Sequence, residues 1–249
     1  MIESQNAVVG NINAEECYLK RMPILSTEEC EQVSETVIGL REHWVQRHQK
    51  SIFYSLGAAS YMDASQGRFH EYREKTKLYN PVLETHFDWL YKRLAQKFSE
   101  HLGETCRYDA ALSYPGFHIF IGDGRTEGAA SRHYDLQYDN IDWSSYGQVQ
   151  LSRQLSYTLA LRLPASGSGL YVWNVNDRAL RTLSPEERKR HLEQNQTPAY
   201  ESYETGQMVV HNGHYLHQIA RLRQMLEGQQ RITLQGHAVW TESGWILYW

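Results

Sequence analysis

The chain has 249 residues and a formal net charge of −4, with no basic block beyond Arg188-Lys189-Arg190. That length suits one domain with a substantial core, and the balanced charge argues against nucleic acid as a partner. No run approaches membrane-spanning length, and the first ten residues lack the charged and apolar regions of a secretory leader. Cys17, Cys30 and Cys106 show no disulfide or metal spacing, so a reducing cytoplasm is the expected compartment.

Residues 1–24 carry little periodic signal and read as an arm or an added edge strand. Ser26 and Glu29 form a capping box, and Cys30, Val33, Val37, Leu40 and Trp44 follow at helical spacing, which predicts a helix over 27–47. Residues 50–79 mix glycine, polar and aromatic residues and read as a long loop or lid with short elements. Asn80-Pro81 then offers an N-cap and an N1 proline. Leu83, Phe87, Leu90, Leu94 and Phe98 form one stripe before Gly103, so a second helix is expected from residue 81.

From about residue 105 the period changes from helix to strand. Strands are expected over 116–121, 132–140 (RHYDLQYDN), 154–163, 169–175, 207–210, 215–219 and 231–240, with a Gly-rich loop over 122–131 and a short charged helix capped by Ser184. Two helices followed by seven or eight short strands indicate an α+β fold, helices packed on one side of an antiparallel sandwich or barrel. The expected organisation is a single domain: a helical buttress and lid over 1–104, a β-barrel core over 105–240, and an aromatic tail over 241–249. That tail either closes the barrel mouth, packs as an edge or forms a dimer contact.

The RHYDLQYDN stretch holds His133-Tyr134-Asp135. On an extended segment alternate side chains share a face, so an imidazole and a carboxylate point together. An HxD alone means little: with twelve histidines about half of one is expected by chance at average composition, and a second occurs at His86-Phe87-Asp88. That pair falls on the second helix, where residues two apart diverge, and is discarded. A third ligand is sought in His211-Asn212-Gly213-His214-Tyr215-Leu216-His217. Asn-Gly marks a turn, which leaves His217 inside the following strand as the best candidate, and His211 and His214 as ordinary histidines. Two histidines and one carboxylate with open positions suit Fe(II). Further on, Arg231, Thr233, Gln235 and His237 share one strand face, opposite Ile232 and Leu234. A plain surface strand would look the same, but an arginine and a hydroxyl there could also hold a carboxylate.

HxD, a distal histidine and Arg-x-Thr on the next strand, in this order over roughly residues 80–240, resemble the signature of Fe(II)/2-oxoglutarate-dependent oxygenases. The resemblance implies a double-stranded β-helix, a jelly-roll-like, cupin-type barrel buttressed by helices. It implies that His133, Asp135 and His217 hold Fe(II) as the catalytic centre, and that Arg231 and Thr233 bind the distal carboxylate of 2-oxoglutarate. O₂ is then consumed, succinate and CO₂ are released, and an unactivated C–H is hydroxylated. The runs GFHIF, HYDLQY, LHQIA and RITLQGH are similar to small enzymes acting on free amino acids, among them radical halogenases and their hydroxylase relatives. Halogenases carry a small residue in place of the carboxylate, so Asp135 points to hydroxylation. The expected partner is a small polar metabolite, a free amino acid or derivative, with neither nucleic acid nor membrane; the expected state is a monomer or homodimer. His118, Gln137 and Trp240 are the candidate substrate contacts. Two other readings stay open: a cupin-type dioxygenase that does not use 2-oxoglutarate, and a non-catalytic barrel that binds a ligand.

Overall fold

The computed structural model describes residues 19–47, 52–122, 131–165, 168–220 and 225–249. The expected N-terminal arm lies outside these residues up to position 18, as does most of the Gly-rich loop (123–130). The described part of the arm is the edge strand β1 (Lys20–Pro23). Helix α1 (Thr27–Gly39) starts at the expected capping box, in which Ser26 and Glu29 each bond the other's backbone N–H. It ends eight residues earlier than the stripe suggested. Trp44 is extended, and its indole Nε1 donates to the Val37 carbonyl at 3.0 Å, a terminal acceptor of the helix that the Leu40 N–H also reaches at 3.2 Å. A short strand β2 (Val45–Gln46) follows.

The expected lid over 50–79 is mostly regular structure: strand β3 (Phe53–Leu56), the one-turn helix α2 (Ser60–Asp63) and the first third of a long helix, α3 (Phe69–Leu102). Pro81 therefore lies inside α3 instead of opening it, at a cost of about 3 kcal/mol for a helix interior. Tertiary contacts offset that cost. Asn80 is no cap: its amide Nδ2 donates to the Leu112 carbonyl (2.9 Å) and its Oδ1 accepts from the Tyr114 N–H (3.0 Å). Tyr72, more than two helical turns upstream of Pro81, is fully buried and donates to the Trp249 carbonyl. His86 and Asp88 both sit on α3, so the second HxD is helical as expected.

The remaining elements are β4 (Cys106–Arg107), β5 (Gly116–Ile121), β6 (Val149–Arg162), β7 (Gly169–Asn176), α4 (Asp177–Thr182), α5 (Pro185–Gln194), β8 (Ala199–Ser202), β9 (Gln207–His211), β10 (Tyr215–Ile219), β11 (Gln230–Thr241) and β12 (Gly244–Tyr248). Among the described residues the large sheet runs β1-β9-β6-β11-β5-β3-β2, and the small sheet runs β10-β7-β8. An isolated antiparallel bridge, His133 to His217, adds the HxD segment beside β10. Successive segments thus alternate between the sheets: β5 large, HxD small, β6 large, β7 and β8 small, β9 large, β10 small, β11 large. This is a double-stranded β-helix.

One face of the large sheet packs on the helices. Leu83, Phe87, Leu90, Leu94 and Phe98 of α3 meet Phe117 and Ile119 of β5, Tyr157 of β6 and Ile232 and Leu234 of β11 in one buried cluster. Phe87 lies 4.7 Å from Phe117 and Phe98 lies 4.8 Å from Tyr157 between ring centroids. Each fully buried side chain contributes about 1.5–3 kcal/mol. Strand alternation then turns His118, Ser156, Thr158, Arg231, Thr233, Gln235 and His237 toward the small sheet. The large sheet thus turns its apolar side chains to the helices and these polar ones to the barrel interior.

The C-terminal aromatics are built into the large sheet. Strand β12 pairs antiparallel with β11 and parallel with β4. Trp249 is fully buried, and its ring lies so close to Gly116 that a Cβ there would fall 2.0 Å from it.

A buried ion pair fixes the segment that carries α2. Asp63, whose side chain is 3% exposed, accepts two bonds from Arg47 (2.8 Å each), one from Lys75 (2.6 Å) and one from the Ala59 N–H (2.8 Å). Burial alone raises its pKa, but the Arg47 and Lys75 bonds prevail and hold it below the usual value. A lowered folded-state pKa adds stability that is present above the unfolded value of about 3.9 and is lost as pH falls through the folded one. Asp63→Asn is expected to cost roughly 3–5 kcal/mol, since Arg47 is left buried without its counter-ion, and to flatten the acid limb of a denaturation profile below about pH 4. An unchanged acid limb would mean that other carboxylates govern it.

Candidate functional site

The two histidines are brought together by the backbone. His133 N–H donates to the His217 carbonyl and His217 N–H to the His133 carbonyl, both at 3.0 Å. Residues paired this way lie side by side with side chains on one face, and the rings sit 4.4 Å apart between centroids. Asp135, two residues on, shares that face, and its N–H donates to the Gly213 carbonyl at 2.9 Å. Its carboxylate lies 3.8 Å from His133 Nε2 and 3.3 Å from His217 Nε2. One ligand atom from each of the three falls within 4.8 Å of the others.

Both rings are oriented by their other nitrogen. His133 Nδ1 donates to the Ser131 carbonyl and His217 Nδ1 to the Tyr215 carbonyl, each at 2.8 Å. A proton held on Nδ1 leaves the Nε2 lone pair directed at the shared point, the arrangement by which histidine ligates a metal. Burial would raise the Asp135 pKa, but His217 beside it holds the carboxylate well below the usual range. The triad runs from buried His217 (side chain 3% exposed) through Asp135 (19%) to His133 (41%), so one flank faces solvent. Two imidazoles and a carboxylate with an open side could hold a divalent first-row metal.

The turn after β9 supports Asp135. A Cβ on Gly213 would stand 2.5 Å from Gln154 Oε1 and 2.8 Å from Asp135 Cβ. Gly213→Ala is expected to displace the carboxylate and weaken metal binding by about 10- to 100-fold, the usual effect of disturbing a ligand's support. Titration against a chelating dye measures this, and unchanged affinity would show that Asp135 tolerates the shift.

A cavity of about 590 Å³ opens beside the triad, inside the barrel. His118 and Gln137 line it, although Gln137 does so from a 3-10 turn (Gln137–Asn140) and not from the inward face of a strand, because the chain leaves extended geometry at Leu136. Trp240 does not line it. It lies on the helix-side face with Ala238, donates through Nε1 to Glu104 and carries the Arg153 guanidinium 4.8 Å over its ring. Arg231 and Thr233 do face the interior and are buried, yet neither touches the cavity. The Arg231 guanidinium lies behind two rings that do, 5.3 Å from Phe120 and 5.8 Å from Tyr203.

His211 and His237 also line the cavity, and sequence reasoning assigned neither to it. The His211 ring is 4.5 Å from His217, and its Nδ1 has no hydrogen-bond partner. His237 Nδ1 bonds Ser156 Oγ at 3.1 Å. Burial keeps both imidazoles neutral, pushing His211 down to about 3 and His237 to about 4. His237 was recoverable from its shared parity with Arg231. His214, by contrast, is the ordinary histidine expected, with Nε2 on the Leu151 carbonyl at 2.9 Å. Tyr61 and Phe53, from the segment read as a lid, line the cavity too, and nothing local in the sequence marks them.

No family model matches the chain, and no curated protein matches it. Solved structures are distantly similar. An N-substituted L-amino acid dioxygenase from Burkholderia ambifaria AMMD in complex with alpha-KG is 16% identical over 92% of this chain and 85% of that chain, with a TM-score of 0.48. EctD from S. alaskensis with bound Fe is 12% identical over 95% and 79%, with a TM-score of 0.47. HygX from Streptomyces hygroscopicus with nickel and 2-oxoglutarate bound is 12% identical over 90% and 84%, with a TM-score of 0.45. At these values the chemistry of this chain has to come from its own residues. No helix among the described residues is long and apolar enough to cross a membrane.

Proposed function

We propose that the protein is an Fe(II)- and 2-oxoglutarate-dependent oxygenase that hydroxylates a C–H of a small molecule held in the barrel cavity. The observation that carries this reading is the His133–Asp135–His217 triangle, with both Nδ1 atoms committed to carbonyls and both Nε2 atoms turned to one point beside the cavity. The donor set fits iron: two imidazoles and one carboxylate are its common facial ligands. When bound there with 2-oxoglutarate and O₂, iron supplies the oxidising power, and succinate and CO₂ leave as products.

The chain's own residues do the rest. Asp135 contributes the negative charge that offsets the divalent ion and fills the position a halide needs, which favours oxygen transfer. Arg231 and Thr233, on the strand after His217, bind the distal carboxylate of the cosubstrate. The rings of Phe120 and Tyr203 frame Arg231 and keep water from it, which strengthens a charge-assisted bond. The large sheet, packed on the helices through β5, β6 and β11, holds these groups on strands that fix their orientation.

One observation favours a second reading, a cupin-type dioxygenase independent of 2-oxoglutarate: neither Arg231 nor Thr233 reaches the cavity lining. The experiment that separates the two is anaerobic addition of Fe(II) and 2-oxoglutarate to the folded protein. A weak visible charge-transfer band, followed by succinate release on admitting O₂, is expected. A folded, iron-loaded protein that shows no band loses the first reading.

A further inference from the structure

We propose that Tyr203 is a gate over the carboxylate site at Arg231, closed in this structure and opened by the cosubstrate; this rests on the oxygenase reading above. Arg231 and Thr233 face the barrel interior and are 1% and 0% exposed, yet the cavity beside the metal triangle is lined by Phe120 and Tyr203 and not by them. The guanidinium carbon stands over both rings, 5.3 Å from the centre of Phe120 and 5.8 Å from that of Tyr203. Guanidinium N–H groups hold a carboxylate at about 2.7–2.9 Å. A cosubstrate entering from the cavity therefore reaches Arg231 only when one ring gives way. The screened arginine is then a closed carboxylate site, which accounts for its place behind the cavity wall.

The two rings are held differently. Phe120 lies on β5, pairs with Phe53 of β3 and stacks on its ring at 4.4 Å with 9° between planes. Turning it would break that stack. Tyr203 lies between β8 and β9, outside both strands. Its N–H donates to the Ser168 carbonyl at 2.9 Å, so the backbone is anchored while the side chain rotates. Its hydroxyl lies beside Thr158, which also lines the cavity, and the adjoining space of about 590 Å³ has room for the turned ring. The cation–π contact with Arg231 favours the closed position. A carboxylate that replaces the ring makes charge-assisted bonds to the same guanidinium, and these are the stronger interaction. A site open only part of the time binds with an affinity reduced in proportion to the fraction open. Removing the ring should tighten cosubstrate binding, the opposite of what loss of an ordinary wall residue does.

The test uses the full chain, loaded anaerobically with Fe(II) and titrated with 2-oxoglutarate, with the visible charge-transfer band as readout and no turnover. Tyr203→Leu removes the ring and keeps an apolar filler. Its half-saturation concentration is expected to fall about tenfold, the equivalent of about 1.4 kcal/mol and within the range of a desolvated cation–π contact. Tyr203→Phe keeps the ring and is expected to stay close to the wild type. Should the leucine variant not fold, Tyr203→Met tests the same loss with a more adaptable side chain. On an Arg231→Ala background the gain is expected to vanish, because the ring then has no cation to cover. A half-saturation that is unchanged or higher in Tyr203→Leu, an equal fall in Tyr203→Phe, or a gain that persists without Arg231 overturns the gate. Folded, iron-loaded wild type that shows no band removes the oxygenase reading and the gate with it. A normal wild-type band with no gain in Tyr203→Leu removes the gate alone.

Discussion

Asp135→Gly is expected to abolish coupled hydroxylation and to lower iron affinity by more than about 100-fold. Disturbing only the support of a metal ligand costs about 10- to 100-fold, and this change removes the sole carboxylate of the triangle outright. The fold should survive it. The His133–His217 bridge is held by two backbone bonds, and the Asp135 N–H still reaches the Gly213 carbonyl, since neither needs the side chain. The measurement is iron content after gel filtration together with succinate release, alongside a melting curve that shows the variant folded. Supplying chloride then asks whether the vacated coordination position accepts a halide, with a gain of chlorine in the product mass as readout. Hydroxylation that continues unchanged would sink the ligand assignment.

Arg231→Ala is expected to raise the 2-oxoglutarate concentration needed for half-maximal turnover by about 10- to 150-fold, the equivalent of one charge-assisted bond at roughly 1.5–3 kcal/mol. Iron should remain bound, because the guanidinium lies outside the triangle and behind Phe120 and Tyr203. Loss of a fully buried side chain also destabilises the barrel, so the melting temperature has to be followed in the same preparation. Lysine at this position keeps the charge but not the planar fork and should recover only part of the affinity. A half-saturation concentration that does not move would place the cosubstrate's carboxylate elsewhere in the cavity, with Ser156, Thr158 and Gln235 as the remaining inward donors. Equal loss of iron and cosubstrate would instead mean that Arg231 maintains the barrel as a whole.

The sequence by itself determined whatever depends on near neighbours. The Ser26–Glu29 capping box starts α1, the stripe from Leu83 to Phe98 packs on the large sheet, and alternation along β11 divides Ile232 and Leu234 from Arg231 and Thr233. The same alternation sets Trp240 with Ile232 and Leu234, on the helix side and away from the cavity. His133, Asp135 and His217 converge because the Asn-Gly turn sets where β10 begins and backbone pairing then aligns the two histidines.

Only the tertiary structure decided the cavity walls. Asn80-Pro81 has every local mark of a helix start, yet α3 runs through it because Asn80 bonds residues more than thirty positions away and Tyr72 is buried on the C-terminus. The turn that carries Tyr61 to His118 is held by Arg47 and Asp63, sixteen residues apart, and His211 gains its place only when β9 and β10 fold back on each other. Periodicity reports which way a side chain points from its own element. Which distant side chain fills the space opposite follows from packing several elements at once, and no single stretch of the chain contains that information.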